Sequence, residues 1–236
     1  MEMKISKTAL KRARNRRTPL LGYGCCGDKE LEELQRLLRK ERIQSEPLPL
    51  ARSFVMALRE AALADWPCFR KEDGNWGASR GNCTFHWATK MREVSRCFNF
   101  ACRFEATGRY DAIVEAVEIG ERVPVLVAEW EWDFEDIFGD GKEVEKLVRA
   151  AQEHGSTADC MLISYFPENK FAELTARVIT KWRKQGAKRI SSLFLVAVVY
   201  RGSSTREPKS IRVVEVNQRG TTLWPDLNFS DDTEEE

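Results

Sequence analysis

Two acidic side chains follow an apolar segment in the run Ala128-Glu129-Trp130-Glu131-Trp132. The preceding residues, 123–128, predict a buried strand, and residues at i and i+2 of a strand point to the same face. Charged side chains are rarely buried unless they are paired or bind a cation. Because two like charges repel each other, a divalent cation is the simplest partner for Glu129 and Glu131. The pair therefore predicts a metal-dependent reaction.

A third carboxylate, Asp111, begins the strand predicted over residues 110–118. A short turn joins this strand to the one predicted over residues 122–132. A hairpin brings the start of one strand beside the end of the next, so Asp111, Glu129 and Glu131 are expected to converge. The alternative is a structural ion-pair network, with Arg109, Arg122 or Lys142 as partners.

This arrangement resembles the PD-(D/E)XK superfamily of nucleases, which has the restriction-endonuclease-like fold. Its pattern is an acid at the start of one strand, followed by an acid, any residue and lysine at the end of the neighbouring strand. Asp111 matches the first acid and Glu129 the second, whereas Glu131 stands where most members have lysine. Some members carry glutamate there. The resemblance covers roughly residues 84–200.

The resemblance implies a magnesium-dependent endonuclease that hydrolyses phosphodiester bonds of DNA, of the type II restriction enzyme kind. It implies Asp111 and Glu129 as metal ligands, with Mn²⁺ able to replace Mg²⁺. The helix before the first strand often donates a further glutamate in this family. Glu93 occupies that place and is expected to be catalytic and metal-binding, with Glu105 as the competing choice.

The resemblance also assigns roles around the missing lysine. Glu131 is expected to position or deprotonate the attacking water. Lys142 and Lys146, on the helix that follows, are candidates for the missing positive charge. A non-cleaving nucleic-acid-binding domain of the same fold remains an alternative, because the lysine position is substituted. An unrelated α/β interaction protein is another.

Hydrophobic periodicity predicts the elements that must position these residues. The expected fold class is α/β, with a restriction-endonuclease-like mixed central sheet flanked by helices and a helical N-terminal portion. Helices are predicted over residues 28–42, 51–64 and 84–104. A helix opened by a capping box at residues 140–143 and stopped by Gly155, and another from residue 171 to near Gly186, follow. Further strands are predicted over residues 160–166, 193–200 and 211–216, the last of them at the sheet edge.

Charge patterning divides the chain of 236 residues into three parts. Residues 1–17 carry seven basic side chains and one acidic one, so this arm has a net charge of +6. Residues 226–236 form an acidic tail with six acids and no base. A single domain is expected over residues 18–225. The basic arm suits phosphate contacts with double-stranded DNA, although it also fits a solvated tail. Cutting both strands of a palindromic site would favour a homodimer.

Composition indicates a globular protein, with 42% hydrophobic and 32% charged residues. No apolar run approaches the ~20 residues that cross a bilayer, and the N-terminus lacks a signal-peptide pattern. Seven cysteines suit a reducing compartment, so a cytoplasmic location is expected. Cys83 and His86, with Cys97 and Cys102 further on, form a weak zinc pattern for which core packing is the alternative.

Overall fold

The computed structural model describes residues 50–229 except 65, 67–68, 71–75, 78–79, 107–109, 119–120, 188–189 and 202–206. The chain divides after Ser45, and all described residues lie in the unit Glu46–Glu236. The predicted helix over residues 28–42, the basic arm and most of the acidic tail lie outside the described residues. In chain order the helices and strands are α1 Leu50–Ala64, β1 Phe69–Arg70, β2 Trp76–Gly77, α2 Arg80–Cys97, β3 Phe100–Ala106, β4 Tyr110–Glu118, β5 Glu121–Glu131, α3 Glu143–His154, β6 Asp159–Pro167, α4 Phe171–Lys184, β7 Leu193–Arg201, β8 Glu207–Asn217, β9 Gly220–Leu223 and β10 Leu227–Asn228.

The described strands form a mixed sheet in the order β10-β8-β7-β6-β5-β4-β3, with β9 also paired to β8. Strands β5, β6 and β7 are parallel neighbours, and the other pairs of this sheet are antiparallel. Parallel neighbours need a long crossover, and helices α3 and α4 supply the two crossovers. Strands β1 and β2 pair separately. The prediction of a mixed central sheet flanked by helices is confirmed.

Each face of the sheet carries its own apolar core. Helices α1 and α2 pack on one face, where Trp87 and Met91 lie in the same cluster as Leu126 and Ala128. Helices α3 and α4 pack on the other face, which includes Val127. Because side chains alternate along a strand, Glu129 and Glu131 share the face of Val127 and lie toward α3. None of the described helices combines the length and apolarity needed to cross a membrane.

The predicted helix over residues 84–104 is wrong in its last third. Helix α2 ends at Cys97, Asn99 adopts a φ of 58°, and β3 follows. A left-handed residue ends a helix because the chain must turn away from the helix axis. Strand β3 then pairs with β4 in antiparallel register.

Two further boundaries differ from prediction. The capping box does not form: Lys142 is the N-cap residue of α3, and the Gly141 amide instead donates to Glu145 at 2.6 Å. The strand predicted over residues 211–216 is longer and is not at the edge, because β9 and β10 pair with it. The sheet therefore continues past the predicted domain boundary at residue 225. Helix α3 does end at Gly155, which has a φ of 61°.

Candidate functional site

Asp111 and Glu129 face each other across the hairpin of β4 and β5. The register pairs Ala112 with Ala128, which places Asp111 opposite Glu129 at the next position. Side chains directly opposite each other in an antiparallel pair are close neighbours. The Trp130 amide donates to Asp111 Oδ2 at 2.7 Å and so fixes that carboxylate against β5. The structure thus brings together the two predicted metal ligands.

Lys146 supplies the positive charge beside this pair. Its Nζ lies 3.2 Å from Glu129 Oε2 and 3.4 Å from Glu143 Oε1, so one ammonium group bridges two buried carboxylates. Glu143 and Lys146 are three residues apart on the first turn of α3 and therefore lie on the same helix face. Of the two lysines considered from the sequence, Lys142 instead pairs with Asp136 at 3.5 Å.

The contact with Lys146 involves only one of the two oxygens of the Glu129 carboxyl group. Glu129 is fully buried, and its Oε1 receives no hydrogen bond from any described residue. Burial, and next the charge of Asp111, raise the pKa of Glu129 from 4.5 to about 9 despite the attraction of Lys146. Burial likewise raises the pKa of Asp111. Burial lowers the pKa of Lys146, but the combined attraction of Glu129, Glu143 and Asp111 outweighs it, so the net shift is upward.

Glu131 lies on the same face one step further along β5. Its Oε1 accepts the Asp133 amide at 3.0 Å, which orients the carboxylate at the strand end. Together with Asp111 and Glu143 it lines a cavity of about 210 Å³. Glu143 was not predicted from the sequence as a site residue. The signal that could have indicated it is its position three residues before Lys146 on the helix that directly follows β5.

Glu93, expected from the sequence to join this group, is not among the residues that line the cavity. Glu93 accepts from Lys90 Nζ at 3.0 Å and is about one-third exposed. The cavity is lined by the start of α2 at Cys83 and Thr84. Trp87 of the same helix also lines the cavity, and Glu93 lies six residues beyond it, or about 9 Å along the helix axis. Glu105, the competing choice, is exposed on β3, where it lies between the pairs Phe104–Ala112 and Ala106–Tyr110 and therefore opposite Asp111.

Of the predicted alternative partners for the acids, the described ones, Arg122 and Lys142, contact other residues. Arg122 pairs with Glu115 at 3.8 Å, and Arg109 is outside the described residues. Cys83 is buried in the core, and His86 Nε2 donates to the Ala62 carbonyl at 3.0 Å. Within the described ranges, no group of three or more His, Cys, Asp or Glu residues is arranged to hold a metal ion.

A pair of carboxylates nevertheless fits a hard cation. Mg²⁺ commonly takes one or two protein carboxylates and keeps water or phosphate at its other positions. Asp111 and Glu129 provide such a pair, and the unpartnered Oε1 of Glu129 is a buried acceptor that a cation would satisfy. A bound cation would also offset the burial and the charge of Asp111, which raise the pKa of Glu129.

Comparison of the chain with protein-family models, curated proteins and solved structures gives no match.

Proposed function

We propose that the protein is a divalent-metal-dependent nuclease of restriction-endonuclease-like fold that hydrolyses phosphodiester bonds of DNA. The observation that carries the proposal is the pairing of Asp111 and Glu129 from adjacent strands beside the ammonium group of Lys146. Phosphodiester hydrolysis requires positive charge near the phosphoryl oxygens and a group that activates water. A cation held by the two acids, together with the ammonium group of Lys146, would supply the positive charge near the phosphoryl oxygens.

Each side chain has a distinct role in this proposal. Asp111 and Glu129 hold the cation, with the Trp130 amide fixing the orientation of Asp111. A bound Mg²⁺ or Mn²⁺ would polarise the phosphoryl group and lower the pKa of a bound water. Lys146 provides the charge that the motif lysine provides in most members of the superfamily. Glu131, oriented by the Asp133 amide at the cavity, accepts the proton of the attacking water.

The same ion pair favours a second interpretation, in which Lys146 and Glu129 have a purely structural role. In that case the domain binds nucleic acid without cutting it, or does not bind it at all. The two interpretations differ in what a divalent cation does. A structural pair needs no cation, whereas the proposed site has a buried oxygen on Glu129 that a cation would bind.

Cleavage of end-labelled DNA in Mg²⁺ or Mn²⁺, compared with EDTA, tests the proposal. We expect metal-dependent cleavage by the wild-type protein and a loss of at least about 100-fold in Asp111→Asn, Glu129→Gln and Lys146→Met, since each removes a charge at the reacting centre. Glu93→Gln is the matched control, because it neutralises an acid outside the site. Equal cleavage by wild type and Glu129→Gln would contradict the proposal. DNA binding without cleavage by the wild type would favour the non-cleaving alternative.

A further inference from the structure

The cavity beside the acids has an aromatic side as well as an acidic one. Trp87, Trp130, Trp132 and Tyr165 line it together with the carboxylates described above. We propose that this cavity binds one unpaired nucleobase next to the bond that is cut. The substrate is then a strand that is single-stranded or locally unpaired at the cleavage point. This inference rests on the proposed nuclease function and names the substrate class of the same site.

The aromatic side is held in place by its own contacts. The rings of Trp132 and Tyr165 have centroids 4.4 Å apart, and Trp87 Nε1 donates to the Tyr165 hydroxyl at 2.9 Å. Trp87 and Tyr165 are buried, whereas Trp132 is half-buried. A rigid indole at a cavity lining offers a stacking surface, and base–aromatic stacking is the usual way in which proteins bind unpaired bases.

Glu143 lines the cavity, and one of its carboxylate oxygens has no donor among the described residues. The residue is only 7% exposed, and while Oε1 contacts Lys146, Oε2 is buried without a hydrogen-bond partner in the described part of the chain. A buried acceptor left unsatisfied is unfavourable, so a ligand that donates an N–H there gains affinity. Adenine, cytosine and guanine carry an exocyclic amino group, whereas thymine has a carbonyl and a methyl group instead. The cavity should therefore prefer amino-bearing bases.

The size of the cavity limits what can enter. Its volume of about 210 Å³ is below the ~300–1,000 Å³ of typical small-molecule pockets. It suits one planar ring system rather than a base pair. A base inside a duplex is stacked on both sides and must be unpaired before it can occupy such a pocket. A blunt duplex therefore does not present a base that can enter the cavity. The substrate expected from the sequence, double-stranded DNA, is restricted to DNA that has an accessible unpaired base.

Binding in EDTA tests the inference separately from cleavage. Fluorescence anisotropy would compare a blunt DNA hairpin with the same hairpin extended by a short unpaired segment, and oligo(dA) with oligo(dT) of about 12 nucleotides, within the range of single-strand site sizes. We expect the wild-type protein to bind the extended hairpin more tightly than the blunt one, and oligo(dA) more tightly than oligo(dT).

Trp132→Leu should weaken the binding of the extended hairpin and of oligo(dA) by at least about five-fold, which is the effect of losing one stacking contact. Trp132→Phe keeps an aromatic ring and is the matched control. Glu143→Gln should reduce the difference between oligo(dA) and oligo(dT), since an amide offers both a donor and an acceptor.

Equal binding of the two hairpins, or unchanged binding of oligo(dA) by Trp132→Leu, would overturn the inference. If the protein also cleaves DNA in a metal-dependent way, either result would overturn only the assignment of base binding to the cavity. The proposed nuclease function would still hold. Trp132-dependent binding of unpaired bases without cleavage in Mg²⁺ or Mn²⁺ would have the opposite meaning. It would support the cavity and overturn the nuclease proposal.

Discussion

Replacing Glu129 with glutamine should remove most of the pH dependence of folding stability. In the folded protein Glu129 keeps its proton up to a pKa of about 9, whereas an exposed glutamate loses it near 4.5. The stability that the protonated form contributes is complete below pH 4.5. It is lost as the pH rises toward 9, because the unfolded chain releases the proton first. Glutamine at this position stays neutral at every pH and cannot produce this loss.

The magnitude follows from the two pKa values. Each unit of difference is worth about 1.4 kcal/mol, so between pH 5 and pH 8 the wild-type free energy of unfolding should fall by about 4 kcal/mol through Glu129. The raised pKa of Asp111 acts in the same direction. Lys146 stays protonated over this range, because its pKa is raised from 10.5. Urea denaturation of wild type and Glu129→Gln at several pH values measures the difference.

The matched control is Glu93→Gln, which removes a carboxylate from the surface of α2. It should keep the wild-type dependence on pH. Mg²⁺ at pH 8 should raise the unfolding midpoint of the wild type and of this control, but not that of Glu129→Gln, because a bound cation stabilises the ionised carboxylate. If the free energy of unfolding of Glu129→Gln falls with rising pH as much as that of the wild type, the buried carboxyl group of Glu129 is not the source of the pH dependence. That result would refute the explanation.

Three further substitutions test the framework that holds the site. Lys146→Met should cost up to about 3 kcal/mol in urea denaturation, because it removes the ammonium group that bridges the buried carboxyl groups of Glu129 and Glu143, and a loss below about 1 kcal/mol would contradict the bridging role. Leu147→Ala removes a fully buried side chain from the core under α3 and should cost about 2–5 kcal/mol in urea denaturation, whereas a loss below about 1 kcal/mol would argue against that packing. Gly155→Ala places a side chain at a φ of 61° with no atom within 4 Å of the new Cβ. Backbone strain alone should therefore lower stability by about 1–3 kcal/mol, and an unchanged melting temperature would refute the turn geometry.

The hairpin and its acids were predictable because local signals determine them. The apolar run before Glu129 and the i, i+2 spacing of Glu129 and Glu131 fix one face of β5. The position of Asp111 at the start of β4 fixes its place opposite Glu129 once the turn is short. No long-range information is needed for this part of the site.

Other parts depend on contacts that the sequence does not display. Glu93 satisfies the helical pattern, but its distance from the cavity depends on which end of α2 packs beside β5, and that is a tertiary choice. Strand β3 was hidden because Phe98 and Ala101 continue the helical spacing of α2. The alternation of Phe100, Cys102 and Phe104 was the missed period-two signal.

The partner of Glu129 was difficult to select for a related reason. Lysines on helices are mostly solvent-exposed, so nothing local distinguishes Lys142 from Lys146. Only the packing of the first turn of α3 against β5 selects Lys146. Glu143 enters the site through the same packing, since it lies one helical turn before Lys146.

The claim that Asp111 and Glu129 form a metal site, and not only an ion pair with Lys146, is tested most directly by anomalous diffraction from crystals soaked in Mn²⁺. We expect one strong anomalous peak between the carboxylates of Asp111 and Glu129, at the buried Oε1 that has no hydrogen-bond partner among the described residues. The peak should disappear in Glu129→Gln and persist in Glu93→Gln. Crystals with Mn²⁺ bound elsewhere, or with no peak and an intact contact between Lys146 and Glu129, would contradict it.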